Sequence, residues 1–120
     1  MQERRRYVRI PENSQISYEV IPSEKTKEHS TKDLSQGGIR FFLQEFIPRD
    51  THLKIKLNLR KTLFNLEALV RIAWISQVPH TQNYEAGVEF LNIPPKAVEY
   101  LKDYIRVFLN AQHGRDRSLS

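Results

Sequence analysis

The feature that narrows the fold most is a change of hydrophobic period late in the chain. From His52 to Leu59 the residues alternate cleanly, with Leu53, Ile55, Leu57 and Leu59 on one face and Lys54, Lys56 and Asn58 on the other. Such alternation marks a strand with one buried face. From Ala97 to Phe108 the apolar residues instead recur three and four apart, at Ala97, Val98, Leu101, Tyr104, Ile105 and Phe108. That spacing builds a single apolar stripe on a helix. Everything between the first strand and this helix has period two or reads as a turn.

Further strands are expected at Ser14–Ile21, Thr26–Leu34, Ile39–Leu43, Leu63–Ser76 and from Tyr84 to Phe90. Thr26–Leu34 is so polar that it reads as an edge strand. The long strand places Leu66, Ala68, Val70, Ile72 and Trp74 on one face, which gives Trp74 a core role. Asn92 is a candidate cap and Pro94-Pro95 suit a first helical turn, while Gly114 is a natural stop. The expected fold is mostly β, a small six-stranded antiparallel barrel with a C-terminal amphipathic helix. Its parts are a flexible basic arm over residues 1–10, the barrel over 14–91, the helix over 94–112 and a polar tail over 113–120.

With 120 residues the chain is long enough for one domain and one core. It has no cysteine, so disulfides, thiolate metal sites and cysteine nucleophiles are excluded. The most apolar window, Leu63 to Ile75, is broken by Glu67 and Arg71 and falls short of the ~20 apolar residues of a membrane helix. The start carries charge without an apolar run behind it, which is not a signal peptide. A soluble, cytoplasmic protein is expected. The net charge is +5, and +3 of it lies in residues 1–10, where Arg4, Arg5, Arg6 and Arg9 face only Glu3.

Catalysis has no foothold in this sequence. His29, His52, His80 and His113 lie far apart and share no metal-ligand spacing. Ser35 sits in no nucleophile elbow, and no GK[ST] follows Gly37-Gly38. No enzyme activity, metal or cofactor is expected.

Two segments stand apart. Arg5 and Arg9 form an RxxxR spacing inside the basic arm, and Asp33, Ser35 and Gly38 form a DxSxxG spacing about 24 residues on, between two strands. Each has a plain reading by itself. The arm can be solvated charge at a terminus. The second segment can be a turn, with Asp33 and Ser35 bonding local backbone and Gly38 at positive φ.

In this order, followed by strands and a helix, the two segments resemble the signatures of the PilZ domain family, bacterial receptors for cyclic di-GMP. The likeness runs from about Arg4 to Asn110, and Gly87 to Phe90 is similar to the family's last strand. It implies a non-catalytic second-messenger receptor of split-barrel fold, acting on motility, biofilm or polysaccharide output through an effector protein that the sequence does not name. The residues it implies at the ligand are Arg5, Arg9, Asp33, Ser35 and Gly38, with Arg4, Arg6, Gly37, Arg40 and Trp74 as further candidates.

The chemistry of the ligand suits them. A guanidinium can fork onto guanine O6 and N7, or pair bidentately with a phosphate, and Arg5 and Arg9 divide these tasks in either order. Asp33 can accept from the guanine N1–H and N2–H₂ donors, and Ser35 can donate to a phosphate. Gly38 brings backbone amides near an anion. Two other readings compete: a basic barrel that binds nucleic acid through its arm, and a barrel of the same fold that binds proteins without a ligand. The strands offer no exposed aromatic platform and the middle of the chain no basic stripe, which argues against nucleic acid.

Overall fold

A computed structural model describes residues 7–22, 25–59 and 64–119, with side chains described as far as residue 112. Seven strands and one helix follow in order: β1 (Ile10–Pro11), β2 (Gln15–Val20), β3 (Thr26–Leu34), β4 (Gly38–Leu43), β5 (His52–Asn58), β6 (Asn65–Gln77), β7 (Tyr84–Asn92) and α1 (Pro95–Leu119). Strands β3, β2, β5, β6, β7 and β4 pair antiparallel in that order, and β4 returns to β3, closing a six-stranded barrel. The short β1 lies outside it, with Ile10 opposite Leu34 and Pro11 opposite Asp33.

The alternation seen in the sequence is what fills this barrel. Leu53, Ile55, Leu57 and Leu59 are all buried, and they meet Ile16, Leu34, Ile39, Phe41, Leu66, Val70, Ile72 and Val88 in one core. Each such side chain contributes about 1.5–3 kcal/mol on leaving water. Helix α1 closes one side by burying Ala97, Leu101 and Ile105, and the Tyr100 ring stacks on Phe64 at a centroid distance of 4.0 Å.

Three expectations are corrected. Strand β3 is not an edge, because β1, β2 and β4 all pair with it; Thr26, Lys27, Glu28 and Lys32 face solvent from a central position, while Thr31 and Asp33 are buried. Asn92 ends β7 rather than capping the helix, which starts from the Pro94 carbonyl, acceptor to the amides of Ala97 and Val98. The helix also passes Gly114 and runs to Leu119, since a lone glycine weakens a helix by only about 1 kcal/mol. The last residues of the arm lie against the barrel, as described below.

Candidate functional site

The two sequence motifs meet. Asp33 ends near the close of β3, one residue short of its last position, and its side chain is buried beneath two arginines. Arg9 Nη1 donates to Asp33 Oδ1 at 2.7 Å, and Arg40 Nη2 pairs with Oδ2 of the same carboxylate. The register explains the meeting. Trp74 on β6 lies opposite Gly87 on β7, Gly87 opposite Arg40 on β4, and Arg40 opposite Asp33 on β3. Directly paired residues project to the same face, so these four form one row across the outer surface of the barrel. The hydrogen bond that Arg40 donates to Asp33 pushes the pKa of Arg40 above its ordinary value, outweighing the opposing effect of burial. Arg40 Nε is buried and has no hydrogen-bond partner among the described residues.

Ser35 makes the turn that follows. Its Oγ accepts from the amides of Gly37 and Gly38 at 3.1 and 3.2 Å, and its own amide donates to the Gly38 carbonyl at 2.9 Å. This is a serine turn of the local kind. The expected positive φ at Gly38 is absent. The reason for glycine is instead close approach, since a Cβ there would stand 2.0 Å from the Val88 carbonyl oxygen on β7.

Beside this row lies an open cleft of about 510 Å³, lined by Arg9, Ser35, Arg40 and Glu89 among polar residues, and by Tyr7 and Trp74. Three of the four glycines in the chain, Gly37, Gly38 and Gly87, line it as well, with the Tyr7 and Trp74 rings seated over Gly37 and Gly87. Glu89 is tied to Arg71, whose guanidinium also reaches Asp50.

Trp74 is the main surprise. Alternation puts it inside with Val70 and Ile72, yet it is exposed and Ile75 packs on the core instead. The register slips by one between Ile72 and Trp74, so Ala73 is an extra residue and the strand reverses its faces there. A β-bulge does this wherever it occurs in a strand. The indole then lies over Gly87, whose Cβ would approach its Nε1 to 2.2 Å. The exposed aromatic surface that the strand pattern hid is therefore present.

Of the candidates, Arg9, Asp33, Ser35, Gly37, Gly38, Arg40 and Trp74 come together around this cleft. Arg4, Arg5 and Arg6 lie outside the described residues. Sequence reasoning missed Tyr7 and Glu89. Tyr7 sits inside the RxxxR spacing and was open to notice; Glu89 reads as an ordinary outward strand residue. Among the described residues no group of histidine, aspartate and glutamate could hold a metal ion, and no helix is long and apolar enough to cross a membrane.

The family model of the PilZ domain matches residues 3–106. The chain belongs to the PilZ domain family. Solved PilZ structures share its fold. YcgR from Escherichia coli, crystallised in complex with c-di-GMP, superposes with a TM-score of 0.79 at 19% identity, over 98% of this chain and 51% of that one. The PilZ domain of YcgR with c-di-GMP gives 0.70 at 21% identity, over 96% and 97%. The inhibitor of motility MotI from Bacillus subtilis gives 0.75 at 19% identity, over 88% and 51%. The chain thus spans about half the length of YcgR and MotI. No curated protein sequence matches it.

Proposed function

We propose that this PilZ domain is a non-catalytic receptor for cyclic di-GMP. The observation that carries the reading is the Arg9–Asp33 pair at the rim of the cleft, which joins the two family motifs in space. The ligand combines two phosphates with two guanines. Arg9 and Arg40 are the cations of the cleft wall, and Asp33 is the acceptor between them. An arriving guanine offers N1–H and N2–H₂ to the Asp33 carboxylate, which frees a guanidinium for a phosphate oxygen or for guanine O6 and N7. Charge-assisted bonds of this type contribute about 1.5–3 kcal/mol each. Arg5 joins from the arm, with Arg4 and Arg6 as neighbours, and Trp74 offers an open ring face to a purine.

Signalling follows from the arm. Residues 1–10 dock more firmly when the ligand bridges Arg5 and Arg9 to the barrel, so the ligand shifts the population toward the docked arm. In the bacterial cytoplasm the domain then presents a changed surface to an effector protein. Motility, biofilm and polysaccharide control are the outputs that the family implies.

The test is calorimetric titration with cyclic di-GMP on the wild type and on Arg9→Ala. Saturable binding that Arg9→Ala weakens by tenfold or more supports the reading. No heat from the wild type, together with unshifted amide resonances from Asp33 to Gly38, overturns it. GTP and cyclic di-AMP in excess are expected not to displace the ligand.

A further inference from the structure

Three carboxylates share the outer face around Arg40, and their oxygens are engaged differently. Asp33 has both occupied, Oδ1 by Arg9 and Oδ2 by Arg40. Glu85 on β7 has both turned to Lys32 Nζ. Glu89 has only one. Arg71 donates from Nε at 2.7 Å and again from Nη2, and both bonds end on Oε1. Among the described residues no donor reaches Oε2, and the Glu89 side chain is 48% exposed where it lines the cleft. The register fixes its place. Glu89 lies opposite Arg71 on β6 and opposite Gly38 on β4, two residues along from Gly87 and so on the same face. Its backbone is diagonal to that of Arg40, about 7–8 Å away. Asp33 is two strands and two residues away, roughly 12 Å over the surface.

We infer that Glu89 is a specificity-determining residue of the ligand site: its Oε2 accepts from the N1–H and N2–H₂ edge of one guanine, while Asp33 takes the other. This rests on the receptor reading above, which accounts for one guanine edge and leaves the second without an acceptor. Three facts carry the inference. An ionised carboxylate has about four acceptor sites, and Arg71 uses two of them, both on the same oxygen. A glutamate placed only to hold an arginine can turn both oxygens to the guanidinium fork, and this one does not. And the charge that would repel a phosphate is balanced from behind, because Arg71 is not among the cleft-lining residues and is itself held by Asp50. Adenine has a lone pair at N1 where guanine has a donor, and it lacks the N2 amino group. A carboxylate oxygen at this place therefore favours guanine.

Two ligands separate a base contact from a structural role: cyclic di-GMP, and the mixed cyclic GMP–AMP dinucleotide, which keeps one guanine for Asp33. Both are titrated by calorimetry into the wild type, Glu89→Ala and Glu89→Gln, with a thermal melt of each. Loss of a charged acceptor predicts that Glu89→Ala binds cyclic di-GMP roughly tenfold to a hundredfold more weakly. Its affinity for the mixed dinucleotide, whose adenine gains nothing from Glu89, changes by less than about threefold. The wild-type preference for the second guanine is thus lost. Glu89→Gln keeps the side chain's length and an acceptor for Arg71, and its smaller loss is again confined to cyclic di-GMP; it carries the same comparison if Glu89→Ala melts early. Unchanged or tighter binding of cyclic di-GMP by both variants overturns the role of Glu89 and leaves the receptor reading standing. Equal loss for the two ligands also overturns it, because the glutamate then acts only through Arg71 on the shape of the cleft. A wild type that gives no heat with either ligand overturns the receptor reading itself, and Glu89 with it.

Discussion

The phenol of Tyr104 donates to Glu12 Oε1 at 2.9 Å, joining the stretch just after Arg9 to the middle of α1 across 92 positions of chain. Ser14 Oγ donates to the other oxygen of Glu12, and Thr31 Oγ1 donates to the Glu12 carbonyl at 2.5 Å while accepting from the Ser14 amide at 2.9 Å. Glu12, Ser14 and Thr31 are all buried. The arm's root is thereby fastened to both the barrel and the helix.

Breaking this knot leaves a buried carboxylate oxygen without its donor. Tyr104→Phe is expected to lower stability by about 1–3 kcal/mol, read as a shift in urea midpoint with an unchanged slope. Glu12→Ala costs more, since it removes the acceptor of both Tyr104 and Ser14. A Tyr104→Phe variant as stable as the wild type would show the bond to be incidental.

Alkaline stability follows from the same phenol. Burial first, and the bond to Glu12 second, push the Tyr104 pKa well above its ordinary value; burial and Glu45 do the same for Tyr18. Unfolded tyrosine titrates near about 10. The unfolded chain therefore releases these protons first, and the stabilisation they carry is complete below pH ~10 and falls as pH rises beyond it. Denaturation curves at pH 9, 10 and 11 are expected to show a steepening loss, reduced in Tyr104→Phe. A flat profile would contradict the assignment.

The adjacent glycines should respond differently to alanine. At Gly38 the new methyl meets the Val88 carbonyl, which is backbone and can yield only by parting β4 from β7. Gly38→Ala is expected to destabilise by about 1–3 kcal/mol or more. At Gly37 the methyl meets the edge of the Tyr7 ring, a side chain that can move aside. Gly37→Ala should melt within a few degrees of wild type and yet bind cyclic di-GMP more weakly. Equal melting losses in the two variants would refute this contrast.

Asp33 is expected to be indispensable as a carboxylate. Asp33→Asn keeps the shape but removes the charge that holds Arg9 and Arg40, and its amide cannot accept from both guanine donors as a carboxylate does. A loss of affinity of at least tenfold is expected, measured by calorimetry at fixed salt. Retention of wild-type affinity would move recognition elsewhere.

Much of this was legible in the sequence because it is local. Clean alternation through Leu53, Ile55 and Leu57 fixes a strand and its buried face, and the period change at Ala97 fixes the helix. What escaped is set by pairing between distant segments. Thr26–Leu34 looks like an edge because its residues are polar, but its place is decided by three partner strands. The Arg9–Asp33 contact spans 24 residues, and the position of Arg40 beside it depends on the register of β3 with β4. Trp74 was misassigned because period two holds only while the ladder has no extra residue.

That extra residue, Ala73, has a wider consequence. One wall of the cleft exists through a count of residues, with no unusual side chain needed to make it. Deleting Ala73 alone would leave Arg9, Asp33, Ser35, Arg40 and Trp74 in the gene, in the same order, and is expected to turn the indole inward and Ile75 toward water. Spacing between Arg71 and Gly87 is thus a heritable property in its own right, and an insertion or deletion there can silence the site in a protein whose motifs still read as intact.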